Sequence, residues 1–277
     1  MSSKVVRSEP ARGSDASSPL VSAGFPAGSG DEVALLYSGG ADSSLAACTL
    51  AKTFRKVHLN TFSRPGFMAC RFSDSHFLRM RERFPDSEFF HRLIPAGKFY
   101  AEVEGRGRWQ AFKKHGLLIL NSCGHCKTAL HWRNLIFCLQ NGIKYAADGA
   151  VVGAEEFAEQ NPRILMPELS ALYAAFGITL LHPVYEEGLS TELTLYELGI
   201  SPQPKIKMTA KDMQVVCSQQ IMFAMMMRLL LEKRSFAEYE RLARAYLSEK
   251  LEVIKLETRL WLENPAAKTR VAELLKE

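Results

Sequence analysis

Six consecutive residues, Ser38-Gly39-Gly40-Ala41-Asp42-Ser43, follow directly on the apolar run Val33-Ala34-Leu35-Leu36-Tyr37. The order predicts a buried strand, a tight turn and the start of a helix that continues through Ser44-Leu45-Ala46-Ala47. Two adjacent glycines let the backbone approach a ligand closely and take conformations that a Cβ forbids. The helix that follows points its unpaired N–H groups and the positive end of its dipole at the same spot. Such a turn cradles phosphate. It is not a Walker A loop, because no Gly-Lys-Ser/Thr follows, and the G-x-G-x-x-G spacing of a dinucleotide fingerprint is absent. Asp42 suits either a magnesium ion or a helix cap, and the hydroxyls of Ser38 and Ser43 suit phosphate oxygens.

A second constellation is Cys123-Gly124-His125-Cys126-Lys127, which follows the apolar run Leu117–Leu120 and opens a helix. Both sulfurs then lie at a positive helix end, and Lys127 adds a cation, so both are biased toward thiolate. Two cysteines three apart on one turn can chelate a metal, form a disulfide or carry a persulfide. The chain has six cysteines. Cys48 and Cys138 sit in apolar helical stretches and read as buried small hydrophobes, while Cys70 lies in an irregular region. Cys217, well downstream at the start of a helical segment, is the remaining partner. Four ligands for a tetrathiolate zinc site are not present at suitable spacing. Three thiolates, Cys123, Cys126 and Cys217, can instead hold a [4Fe–4S] cluster with one iron left open. A redox or persulfide pair without a cluster, and a structural role, remain the alternatives.

The string Ser38–Ser43 resembles the SGGxDS signature of the PP-loop ATP pyrophosphatase superfamily, in its usual place after the first strand. The likeness covers about Val33 to Cys217. The order of C-x-x-C-K, Ala147-Asp148-Gly149 and His182-Pro183-Val184 is similar to that of branches that thiolate tRNA or supply sulfur for nickel-pincer cofactor synthesis. Gly149-Ala150 stands where those branches often have Gly-His. The resemblance implies ATP and Mg2+ as ligands, with Tyr37, Ser38, Gly39, Gly40, Asp42 and Ser43 around the phosphates and Asp148 and Gly149 framing the nucleotide. It implies attack of a substrate oxygen on the α-phosphate, release of pyrophosphate, and displacement of AMP by sulfur. That sulfur would arrive as a persulfide on Cys123 or Cys126, as sulfide on a cluster held by Cys123, Cys126 and Cys217, or from a protein cysteine itself. Asp42, Cys123, Cys126 and Cys217 are thus the expected catalytic residues. The acceptor is expected to be tRNA or a small molecule, and the sulfur donor sulfide or a persulfide. The same loop serves amide- and nitrile-forming ligases that use ammonia, such as the synthase of 7-cyano-7-deazaguanine. An ATP-binding protein without turnover is the reading from a different class.

The elements that must position these groups follow from the hydrophobic pattern. Strands are expected at Val33–Tyr37, Val57–Phe62, Glu88–Ile94, Leu117–Asn121, Tyr145–Val152 and Thr179–Val184. Helices are expected at Ala41–Phe54, Ser73–Phe84, around Trp109–His115, and at Lys127–Asn141, Pro167–Phe176 and Thr191–Leu198. Short apolar strands alternating with helices predict an α/β fold, a doubly wound parallel sheet whose ligands sit beyond the carboxyl ends of the strands. The resemblance adds that the sheet is of the PP-loop, HUP-like kind. Residues 31–186 form the expected ATP-binding domain. After Pro202 and Pro204 the pattern turns nearly all helical, from about Thr209 to Leu262 with a break near Arg234-Ser235, so residues 187–277 form the expected helical C-terminal domain.

Residues 1–30, rich in Ser, Ala, Gly and Pro, read as a disordered tail without a signal-peptide core. Arg7, Arg12 and several serines resemble an organellar presequence, against which stand Glu9, Asp15 and the lack of an amphipathic pattern. A hydrophobic content of 47% supports a packed core, and no run is long enough to span a membrane, so a cytoplasmic protein is expected. A formal charge of +5 permits an RNA partner without demanding one. Glu155 and Glu156 stand where the resembling families often carry acidic residues, although solvated loop charges explain them equally well. The Met-rich stretch Met222 to Met227 suits a core or a homodimer face.

Overall fold

The computed structural model describes residues 31–68, 70, 75–152, 158, 161–187, 191–202, 216–232, 234–265 and 267–276. Five parallel strands form its central sheet: β1 (Glu32–Leu36), β2 (Lys56–Ser63), β4 (Glu88–Pro95), β5 (Tyr145–Ala147) and β6 (Thr179–Leu181), in the order β4-β2-β1-β5-β6. Two residues each of β3 (Phe67–Met68) and β7 (Val216–Cys217) make a separate antiparallel ribbon, with Phe67 opposite Cys217.

Strand β1 shows why both faces of the sheet are covered. Val33, Leu35 and Tyr37 belong to one buried cluster, and Ala34 and Leu36 to the other. The side-chain period of two sends alternate residues to opposite faces. A run that is apolar on both faces must be sandwiched between helices. One face is covered by α1 (Ala41–Ala51) and α7 (Thr191–Glu197), the other by α3 (Gly97–Gly105), α5 (Ser122–Asn141) and α6 (Leu165–Ala174). The sheet grows from β1 through β2 and β4 on one side and, after the chain crosses back, through β5 and β6 on the other. A switch point therefore opens beyond the carboxyl end of β1, where Ser38–Ser43 lie.

The helices α8 (Gln220–Leu231) and α9 (Phe236–Glu263) bury Phe223, Met226, Tyr239, Tyr246 and Leu247 in the same cluster as Trp132 and Leu135 of α5. The break expected near Arg234-Ser235 is a helix start, with the Ser235 side chain accepting from Glu238 N. Shorter helices α2 (Ser75–Arg83), α4 (Arg108–His115) and α10 (Arg270–Leu274) complete the set. Residues 209–215, expected to be helical, and Glu155 and Glu156 lie outside the described residues. So does the 1–30 tail.

Four expectations about elements need correction, the first being that Val216–Cys217, expected within a helical segment, is strand β7, paired with β3. Leu117–Asn121 is not a strand; Gly116–Leu120 forms a short 3-10 turn. Both edges of β1 are already occupied, Gly116 at φ +58 diverts the chain, and Leu117 is exposed while Leu118 is buried. The helix expected from Lys127 begins at Ser122, because Asn121 caps it by accepting from Gly124 N at 3.0 Å. Helix α3 was not expected, since Gly97 and Gly105 at its ends lower its intrinsic helicity. Its Phe99, Tyr100 and Val103 nonetheless pack into the core.

Candidate functional site

Beyond β1 the chain turns through Gly39 at φ +79, a conformation that favours glycine, into α1. The turn is tied by its own hydroxyls. Ser38 Oγ and Ser43 Oγ lie 3.1 Å apart, Ser43 Oγ donates to Gly40 O at 3.1 Å, and Gly40 N donates to Ser38 Oγ at 3.3 Å. A cavity of about 290 Å³ opens over it. Tyr37, Ser38, Gly40, Asp42, Ser43 and Gly149 line this cavity, together with Lys127 and Cys217. Leu36, Phe62, Phe67 and Leu130 supply apolar walls. Burial raises the pKa of Asp42 above its ordinary carboxylate value.

Gly149 has a packing reason to be glycine. A Cβ there would stand 2.9 Å from Ser43 N and 3.0 Å from Ser43 Cα, so the turn after β5 presses directly on the start of α1. The residue before it, Asp148, is fully buried. Its Oδ1 lies 2.7 Å from His182 Nδ1 and also accepts from Ala150 N at 3.1 Å. Its Oδ2 lies 3.0 Å from Lys127 Nζ and 3.3 Å from His131 Nε2. Burial opposes the Asp148 charge, but Lys127 and the two histidines outweigh it and hold the carboxyl well below its usual range. Burial pushes His131 down to about 4, so it is neutral at pH 7. Asp148 therefore does not reach the cavity itself: it anchors Lys127, the cation that does. His182 is one of the groups that fix this carboxylate.

The cysteines divide. Cys48 and Cys138 are buried in the core, and burial pushes both thiols up to about 12. Cys123 and Cys126 occupy the first turn of α5, beneath the Asn121 cap. Gly124 between them fits tightly, since a Cβ there would lie 3.0 Å from both Asn121 Oδ1 and Leu247 Cδ1. Cys217 arrives from the other direction, on β7, and the β3–β7 ribbon carries it to the cavity wall.

Arg64, immediately after β2, joins these cysteines. Its Nε donates to Cys126 Sγ at 3.1 Å and its Nη2 to Cys217 Sγ at 3.5 Å. The same edge of the guanidinium that commonly grips a carboxylate with two parallel bonds here faces two sulfurs. Nη2 also donates to Gln219 Oε1 at 2.9 Å, and Nη1 to Pro65 O at 2.7 Å. The guanidinium carbon lies 4.2 Å from the Phe67 ring centre and 4.1 Å from that of Tyr100. Arg64 is buried, and no carboxylate among the described residues pairs with it. Burial works against its charge, yet Cys126, Tyr100 and Cys217 outweigh burial and raise its pKa. The side-chain partners of this cation are two sulfurs and the Gln219 amide oxygen.

Arg64 and Gln219 were not singled out as site residues from the sequence. Arg64 carried one signal, its place just beyond the carboxyl end of an apolar strand. The donor set fits a [4Fe–4S] cluster in chemistry, since thiolates suit iron, but not in number. Cys126 and Cys217 converge, whereas among the described residues no three of His, Cys, Asp and Glu form a metal-holding group. No family model matches the chain, and no curated protein matches it either.

Proposed function

We propose that this chain is an ATP-dependent adenylating enzyme that delivers sulfur to its substrate. One observation carries the reading: Cys217 lines the same cavity as the glycine-rich turn, and Arg64 couples its sulfur to that of Cys126. A phosphate cradle beside a pair of cation-held sulfurs suits a reaction in which an oxygen is first activated and then replaced.

In this reading ATP lays its phosphates against Ser38–Ser43, where backbone N–H groups and the N-terminus of α1 meet their charge. The bland adenine faces the apolar wall of Phe62, Phe67 and Leu130. A substrate oxygen attacks the α-phosphorus, the bond to the β-phosphate bridging oxygen breaks, and pyrophosphate leaves. Lys127, aimed by Asp148, neutralises charge that develops on the phosphoryl oxygens. Magnesium, held near Asp42, would supply further charge neutralisation.

Sulfur enters as a persulfide on Cys217, formed from a sulfane-sulfur donor. The terminal sulfur attacks the activated carbon, the carbon–oxygen bond breaks and AMP leaves with its electron pair. Cys126 thiolate then attacks Cys217 Sγ, releasing the substrate thiolate and leaving a Cys126–Cys217 disulfide, which an external thiol reduces. The acceptor is an RNA base or a small molecule that carries an oxygen able to be adenylated. A cluster held by Cys123, Cys126 and Cys217, of which two sulfurs meet at Arg64, is the competing sulfur carrier.

Mass spectrometry of alkylated peptides after treatment with inorganic polysulfide tests the carrier. One added sulfur on Cys217, absent in Cys217→Ser, supports the persulfide route. Iron and acid-labile sulfide near four of each per anaerobically purified chain, lost in Cys217→Ser, would overturn it in favour of the cluster.

A further inference from the structure

A second cavity, of about 310 Å³, lies between α3, α4 and α9 and shares no lining residue with the first. Its apolar floor is made by Val103, Trp132 and Ile254, all buried, with the Tyr246 ring beside them. Charged side chains ring the mouth, and nearly all of them are already paired. Glu102 takes Arg106 and Arg270, and Glu249 takes Lys114 and His115. Arg106 also reaches Glu257 at 2.7 Å.

Lys250 is the exception. Its ammonium donates to the backbone carbonyl of Arg106 at 2.8 Å and lies 5.9 Å from the Tyr246 ring centre, and no carboxylate among the described residues forms an ion pair with it. Burial lowers its pKa, with Glu102 and Glu104 pulling the other way and Arg106 and Arg108 adding to the fall. A cation without an ion-pair partner at the wall of an apolar cavity favours an anion that brings its own apolar body.

We propose that this cavity binds a small amphiphilic carboxylate, its chain or ring against Val103, Ala111, Trp132 and Ile254 and its carboxylate on Lys250. The site stands apart from the sulfur chemistry, but it is not remote from the cysteines. The hydroxyl of Tyr246 lies 3.0 Å from Nε2 of His125, one of the two residues between Cys123 and Cys126.

Isothermal titration of the full chain with octanoate, octanol and octylamine tests the proposal. Octanoate is expected to saturate one site, with the neutral and cationic analogues weaker by about tenfold or more, the usual weight of one partly buried charge-assisted bond. Lys250→Met keeps the aliphatic stem and should weaken octanoate by a similar factor with an unchanged far-UV circular dichroism spectrum. Ala111→Phe, which fills the cavity and leaves the charge, should also abolish saturation. If either variant fails to fold, the analogue series on the unaltered protein decides. Absence of saturable octanoate binding, octanol or octylamine binding as tightly, or octanoate binding untouched by a folded Lys250→Met overturns it.

Discussion

A buried guanidinium ordinarily finds a carboxylate, because an unpaired charge in the interior is costly. Arg64 finds the sulfurs of Cys126 and Cys217 instead. Replacing it with Met should leave those sulfurs without their cation. In the proposed reaction, sulfur transfer should then fall by about 100-fold, the usual weight of one lost electrostatic contact in a closed site. Arg64→Lys keeps the charge but not the two-sulfur edge and should recover only part. The alkylation rate of Cys126 and Cys217 checks this apart from turnover, since a merely structural Arg64 would leave it unchanged in folded protein. Gly149 makes the second claim at this scale. In Gly149→Ala the new methyl meets Ser43 N at 2.9 Å. The overpacking should cost about 1–3 kcal/mol of stability and weaken ATP binding, both readable in a thermal melt with and without the nucleotide.

At the scale of elements, the first turn of α5 carries the cysteine pair and Asn121 holds that turn. Asn121→Ala should cost about 0.5–2 kcal/mol in denaturant unfolding, the value of a side-chain N-cap, and Asn121→Ser should restore most of it. This cap also marks how far the sequence was readable. Asn121 was assigned to the end of a strand, since Leu117–Leu120 is as apolar as a strand and the glycine that turns it, Gly116, is a single residue. The glycine-rich turn was legible because strand, turn and helix start are contiguous, so local chemistry alone defines them. The β3–β7 ribbon was not legible. It pairs two residues with two others far along the chain, and its consequence, Cys217 at the cavity and beside Arg64, depends wholly on that pairing. The alternation of strands and helices predicted the parallel sheet, because a period of two on β1 that is apolar on both faces leaves a doubly covered sheet as the consistent solution.

For the whole molecule, the sheet and the C-terminal helices share one buried cluster, and charged or titratable groups sit within it. His131 is among them, lowered by burial to about 4, against about 6.5 in an unfolded chain. Between those values the unfolded state binds a proton that the folded state does not. Stability from this group is therefore complete above pH 6.5 and is lost as pH falls toward 4. Asp148, held below its usual range, acts in the same sense, with loss as pH falls through its folded value. Urea midpoints should accordingly drop between pH 6.5 and 4, and His131→Asn should flatten that drop. A midpoint independent of pH over this range would refute the buried neutral histidine. Among the described residues no helix is long and apolar enough to cross a membrane.

The most direct test of the account is the identity of the product formed from ATP labelled at the α-phosphate, with RNA and small-metabolite fractions of a cell extract supplied as acceptors. Labelled AMP and an equal amount of pyrophosphate are predicted, both lost in Lys127→Met. Labelled ADP, or ATP left intact in the presence of both fractions, would contradict it.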